Sequence, residues 1–195
     1  MPGILNSGGV EIARFVAPTT VKSVRPVYVG ETLNLRTKVS LQGNAQRWEI
    51  TSKLEPLVGD ASLMLHTIAF DSFDVFAIKM PQMYRRTAIA QAAILTSGTT
   101  FGGSAAFTQT GVGSAAVGEF IRFSNHNKVY MVTSISGSVV SIFPSLLVTV
   151  PGGTVVETGN NTRGFFRYSK ETIKGMTWTD GILMDVGEIT LVEAL

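Results

Sequence analysis

The stretch Gly118–Pro144, GEFIRFSNHNKVYMVTSISGSVVSIFP, leaves this chain little choice but strands. Val, Ile, Phe, Tyr and Thr fit a pleated, half-buried surface, whereas Asn, Ser and Gly supply the positive-φ or self-bonding positions of turns. The stretch divides into Phe120–Phe123, a turn at Ser124–Asn127, Lys128–Ile135, a second turn at Ser136–Ser138, and Val139–Phe143. Strands this close in sequence pair as an antiparallel meander, the seed of a small barrel or sandwich.

The charged residues are distributed unevenly around it. Between Ala88 and Thr158 the only ones are Glu119, Arg122, Lys128 and Glu157, while both flanks carry many. A middle so distinct from its two ends points to an insertion. The expected organisation is an outer domain made of residues 1–87 and 159–195, with residues 88–158 inserted as a second domain. At 195 residues the chain is long enough to bury a real core. Charged residues make up 15% of it, below the roughly 25% of ordinary soluble domains. No apolar run approaches the roughly 18 residues of a membrane span. The opening MPGILNSGGVEIARF is not a signal-peptide pattern. A net charge of +2 without a basic stripe gives no footprint for nucleic acid.

The flanks read as β structure too. Met1–Gly9 has no period and reads as an extended arm, Val10–Val16 as a first strand broken by Pro18, and Val21–Val29 as an edge strand on account of Pro26. Glu31–Leu41 and Gln46–Leu54 both alternate, so a hairpin is expected across Gly43 and Asn44. Asp60 can cap a short helix carrying Ala61, Met64, Leu65 and Ile68, with a strand as the alternative. Further strands are expected from Phe73 up to Pro81 and at Leu146–Val150, Thr154–Thr158, Phe165–Tyr168, Met176–Trp178 and Glu188–Leu195. Thr96–Val117 reads as strands with long loops.

Catalytic constellations are missing from the sequence. The two histidines, His66 and His126, stand far apart, and no Cys, His and carboxylate cluster has metal-ligand spacing. Cysteine is absent, which excludes disulfides and a thiolate nucleophile. Asp71 and Asp74 read as a solvated loop rather than a glycosidase pair. The glycines of GTTFGGSAAFTQTGVGSAAVG form no phosphate-loop motif, and Asn160–Thr162 reads as a turn. Trp48 and Trp178 read as core anchors, with sugar stacking as the alternative. The expectation is a non-enzyme with no catalytic residue, metal or cofactor.

Four phrases carry a family resemblance: QRWEI at Gln46–Ile50, GEFIRFSNHNKVYMVTS at Gly118–Ser134, IFPSL at Ile142–Leu146 and EITLVEAL at Glu188–Leu195. In these and in its layout the chain resembles tailed-bacteriophage tail proteins of the distal-tail or baseplate type. That resemblance implies an all-β, mainly antiparallel fold: a β-sandwich from both chain ends, an inserted small β-barrel, and at most one or two short helices. It also implies a virion structural protein assembled in the host bacterial cytoplasm. Such a protein forms a homo-oligomeric ring that joins the tail tube to hub, fibre or receptor-binding proteins, without nucleic acid or membrane. The alternative is a host-surface glycan-binding module with an exposed aromatic platform around Trp48, Trp178 or Tyr130.

Overall fold

A computed structural model describes residues 2–6, 9–25, 27–31, 37–41, 46–56, 75–82, 94–169, 177–179, 183–185 and 187–195. These residues contain sixteen strands, one short 3-10 turn at Gly159–Asn161 and no α-helix. The strands are β1 (Gly3–Leu5), β2 (Glu11–Val24), β3 (Val27–Glu31), β4 (Thr37–Leu41), β5 (Arg47–Leu54) and β6 (Phe76–Lys79). They continue with β7 (Ile94–Thr96), β8 (Ala106–Gly111), β9 (Phe120–Phe123), β10 (Val129–Ser136), β11 (Val139–Phe143) and β12 (Val155–Glu157). The last four are β13 (Arg163–Tyr168), β14 (Thr177–Thr179), β15 (Leu183–Asp185) and β16 (Glu188–Glu193).

The named strand pairs are antiparallel and form two closed six-stranded barrels, one in the order β1-β2-β5-β16-β13-β6 and the other β10-β11-β8-β7-β12-β9. The first barrel draws on both ends of the chain; the second uses only strands between Ile94 and Glu157. The all-β fold expected from the sequence is therefore present, with the outer sheet joined at both edges. The meander is present as well: β10 pairs with β9 through Tyr130 and Ile121 and with β11 through Val132 and Ile142. Two further hairpins, β3–β4 and β14–β15, stand as separate two-stranded sheets.

Four expectations change. The N-terminal arm contributes a strand, because Ile4 and Leu5 are buried as β1 bridges β2 and β6. Pro18 does not end its strand. It lies in the register shift between Val16 and Thr20, where a residue without an N–H removes no ladder bond. The hairpin across Gly43 and Asn44 does not form: β4 pairs with β3, and both edges of β5 are taken, by β2 and β16. Alternation correctly puts Trp48, Ile50, Ser52 and Leu54 on the buried face of β5, but a face does not name its neighbour. Within Leu146–Val150 only an isolated bridge forms, from Val150 to Thr100. The expected helix after Asp60 lies outside the described residues.

Period-two alternation in β9 and β10 feeds two cores at once. Ile121, Phe123, Tyr130 and Val132 point into their own barrel, with Phe107, Ile142 and Leu146. The intervening Phe120 and Val129 belong to the core of the first barrel, with Trp48, Ile50, Phe166 and Leu191. Gly164 shows how closely that core is filled. A Cβ there would lie 2.5 Å from the Phe166 ring and 2.9 Å from Met80 Sδ. Gly164→Ala should cost roughly 1–3 kcal/mol by overpacking; an unchanged urea midpoint would show that the core yields freely.

Candidate functional site

The joint between the barrels gathers the most deeply buried ion pair among the described residues. Lys128 precedes β10 and Glu193 closes β16, and their side chains are 2% and 0% exposed. The ammonium has three donors, and all three are used, on Glu193 Oε2 at 2.5 Å and on the Gln46 backbone oxygen and Oε1, each at 2.7 Å. Glu193 in turn accepts the backbone N–H of Trp48 at 3.1 Å and that of Val129 at 2.8 Å. Trp48 completes the circuit by donating its indole N–H to the Val129 carbonyl at 2.8 Å. Its ring meets Phe120 edge-on, with centroids 5.1 Å apart.

Burial disfavours both charged forms, pushing the Lys128 ammonium down and the Glu193 carboxyl up, while each partner opposes the shift of the other. A second clamp holds the backbone of Phe120. Gln82 accepts its N–H and donates to its carbonyl, and Thr162 donates to the same carbonyl at 2.9 Å. The arrangement fixes two barrels in one orientation; it offers no exposed nucleophile or base.

The other charged residues of the second barrel lie on the same side. Arg122 and Glu157 form a two-contact pair at 2.6 and 3.0 Å, with Arg122 over the Phe165 ring of the first barrel. Glu119 is buried beside Phe120. Among its described residues the remaining surface carries no charged side chain and exposes apolar ones, notably Phe101 (71%), Val112 (90%), Leu147 and Val148. The loop carrying Phe101 runs against the loop carrying Leu147 and Val148, through the Thr100–Val150 bridge and the Gly102 N–H to Thr149 Oγ1.

His126 is held within this barrel. The Leu147 N–H donates to the Tyr130 hydroxyl, which donates to His126 Nε2 at 2.8 Å, and Nδ1–H donates to Asn125 Oδ1 at 2.7 Å. That pattern suits the neutral ring. Burial, then Arg122 and Lys128, lowers its pKa to about 4. Tyr130 is fully buried, and its hydroxyl is pushed up to about 12. Trp48 is buried too, so neither forms an exposed platform. Trp178 pairs with Met184 across β14 and β15. His66, Asp71 and Asp74 lie outside the described residues. Among those described, no group of three or more His, Cys, Asp or Glu gathers as metal ligands.

The Lys128–Glu193 link escaped sequence reasoning because the partners lie 65 residues apart. A signal for the joint was present all the same. Val129-Tyr130-Met131-Val132 is an unbroken apolar run, the mark of a strand buried on both faces. In comparisons with known proteins, no family model and no curated protein matches the chain.

Two outcomes test the joint. Glu193→Leu strands an ammonium and two backbone N–H groups, whereas Lys128→Met leaves a carboxylate that still accepts two N–H bonds. Each should lose about 3–5 kcal/mol, with the Glu193 change the worse; equal urea midpoints for the two variants would contradict this order. The His126 ring binds a proton more readily unfolded (6.5) than folded (about 4), so stability should fall as pH drops through that window and level off below it. His126→Gln should flatten that part of the stability profile, and a profile unchanged from the parent would refute the assignment.

Proposed function

We propose that this chain is a structural subunit of a bacteriophage tail tip or baseplate, built to assemble as a ring that links the tail tube to hub or receptor-binding proteins. Its place is the virion, after assembly in the host bacterial cytoplasm. The observation that carries this reading is the surface of the second barrel. Its charged side chains are paired or buried toward the joint, and the adjoining loops that carry Phe101, Leu147 and Val148 expose apolar side chains with no charge among them.

Such a face suits association with a permanent neighbour, because obligate interfaces are more apolar than transient ones and depleted of charge at their centre. The joint supports the same reading. A ring closes only if every subunit repeats one geometry, and a heterologous contact between barrels of varying orientation would give open chains instead. The resemblance of four sequence phrases to distal-tail proteins suggests a partner class that the surface alone does not specify. Burial of Trp48 and Tyr130 counts against the glycan-platform alternative.

Mass photometry of the purified chain should give a single closed oligomer that persists in high salt, since apolar contacts are not screened. Phe101→Asp with Leu147→Asp should return the protein to monomers at an unchanged melting temperature. A monomeric parent at micromolar concentration, or an oligomer indifferent to both substitutions, would overturn the reading.

A further inference from the structure

The first barrel is not sealed along its whole length. β1 accompanies β2 only as far as the Gly3–Arg14 pair and a last bond from the Phe15 N–H to the Pro2 carbonyl. Beyond that point β2 continues through Val24 with β5 on one side. Among the described residues no strand lies along its other side. In an antiparallel pair alternate residues turn their N–H and C=O away from the partner, so along this length of β2 a row of backbone groups has no strand partner among the described residues.

A groove of about 510 Å3 lies beside that row. Thr19, Val21 and Ser23 of β2, Pro81 and Gln82 after β6, and Trp48, Gly118, Phe120, Met131 and Phe143 line it. Register explains the alternate residues. Val21 stands opposite Ile50 and Ser23 opposite Trp48, so the inward face of the barrel runs on past its mouth and becomes the groove wall. The free stretch from Thr19 to Ser23 spans roughly 13 Å at strand rise. None of the lining residues is ionisable, and Arg25 closes one end with its guanidinium 4.4 Å from the centre of the Phe143 ring. Lys22 and Arg47 project from the exposed faces of the neighbouring strands.

We propose that this groove receives an extended segment of a partner protein that pairs with the free edge of β2, places alternate apolar side chains against Val21 and Phe143, and sets a carboxylate at Arg25. The three features call for one kind of occupant. Open backbone groups require a main chain in extended form, a neutral aromatic wall requires apolar side chains at every second position, and the guanidinium requires an anion at one end. This is strand addition, in which the main chain supplies affinity and the groove supplies selectivity. The site uses a different surface from the neutral face of the second barrel, so it does not depend on the ring reading.

The test is fluorescence anisotropy of the full chain with a short labelled peptide in which Thr and Val alternate before two terminal Glu residues. Two further peptides carry N-methyl groups on alternate residues, in opposite phase. The parent peptide should bind saturably, and one phase of methylation should weaken it by roughly tenfold or more, about 1.4 kcal/mol, while the other leaves it unchanged. That asymmetry is the signature of a single paired edge. Replacing the terminal Glu pair with Lys should weaken binding, and Val21→Glu in the protein should abolish it. Absence of saturable binding by the parent peptide, or equal behaviour of the two methylated peptides, overturns the proposal. Because the methylated peptides act on the unmodified protein, the outcome does not rest on whether Val21→Glu folds.

Discussion

The contact between Lys128 and Glu193 is the constraint on which the relation of the two barrels depends. A buried ion pair gains little net stability over a well-packed apolar contact, because taking both ions out of water costs nearly what their attraction returns. What it imposes is position. Every donor of the ammonium is occupied, and the carboxylate binds the backbone of Trp48 on one barrel and of Val129 on the other. Sliding one barrel past the other would strand several polar groups at once. Apolar surface alone tolerates such sliding; this network does not.

That rigidity allows β9 and β10 to serve two interiors. Each carries side chains of one parity into its own barrel and of the other into the core of the neighbour. The segment Phe120–Ser136 is thus a party wall. It was legible as strands because β-branched and aromatic residues with polar turns have few other uses. Its double burial was legible only as a run of apolar residues that failed to alternate. The four charges of the middle segment likewise read as a composition shift. Their clustering at one side depends on pairs such as Arg122 with Glu157, remote in sequence, which local periodicity does not reach.

The same limit explains the misread elements. The alternation in Gln46–Leu54 fixed which side chains are buried, yet β2 and β16 took the edges that the preceding strand was expected to share. Pro18 looked like a terminator because a proline inside a regular ladder removes a bond, and a bulge suspends that rule locally. Gly3–Leu5 fell within the extended arm read over Met1–Gly9 because three residues are too few to show a period, although two barrel strands await them. The candidate joint was the least legible feature. Its residues come from β5, from the approach to β10 and from β16, and chemistry that depends on all three exists only after the chain has folded.

The topology also orders the events of folding. The strands of the second barrel are contiguous in the chain, so its contacts close comparatively short loops. The first barrel must bring β16 beside β5, joining Trp48 to a carboxylate 145 residues away. Loop-closure entropy favours the nearer contacts, and the second barrel is expected to form first. It then presents Phe120 and Val129 as an apolar template on which the two distant chain ends meet. The second barrel thus supplies part of the core against which the chain ends collapse, and a chain without β9 and β10 would lack Phe120 and Val129 from that core.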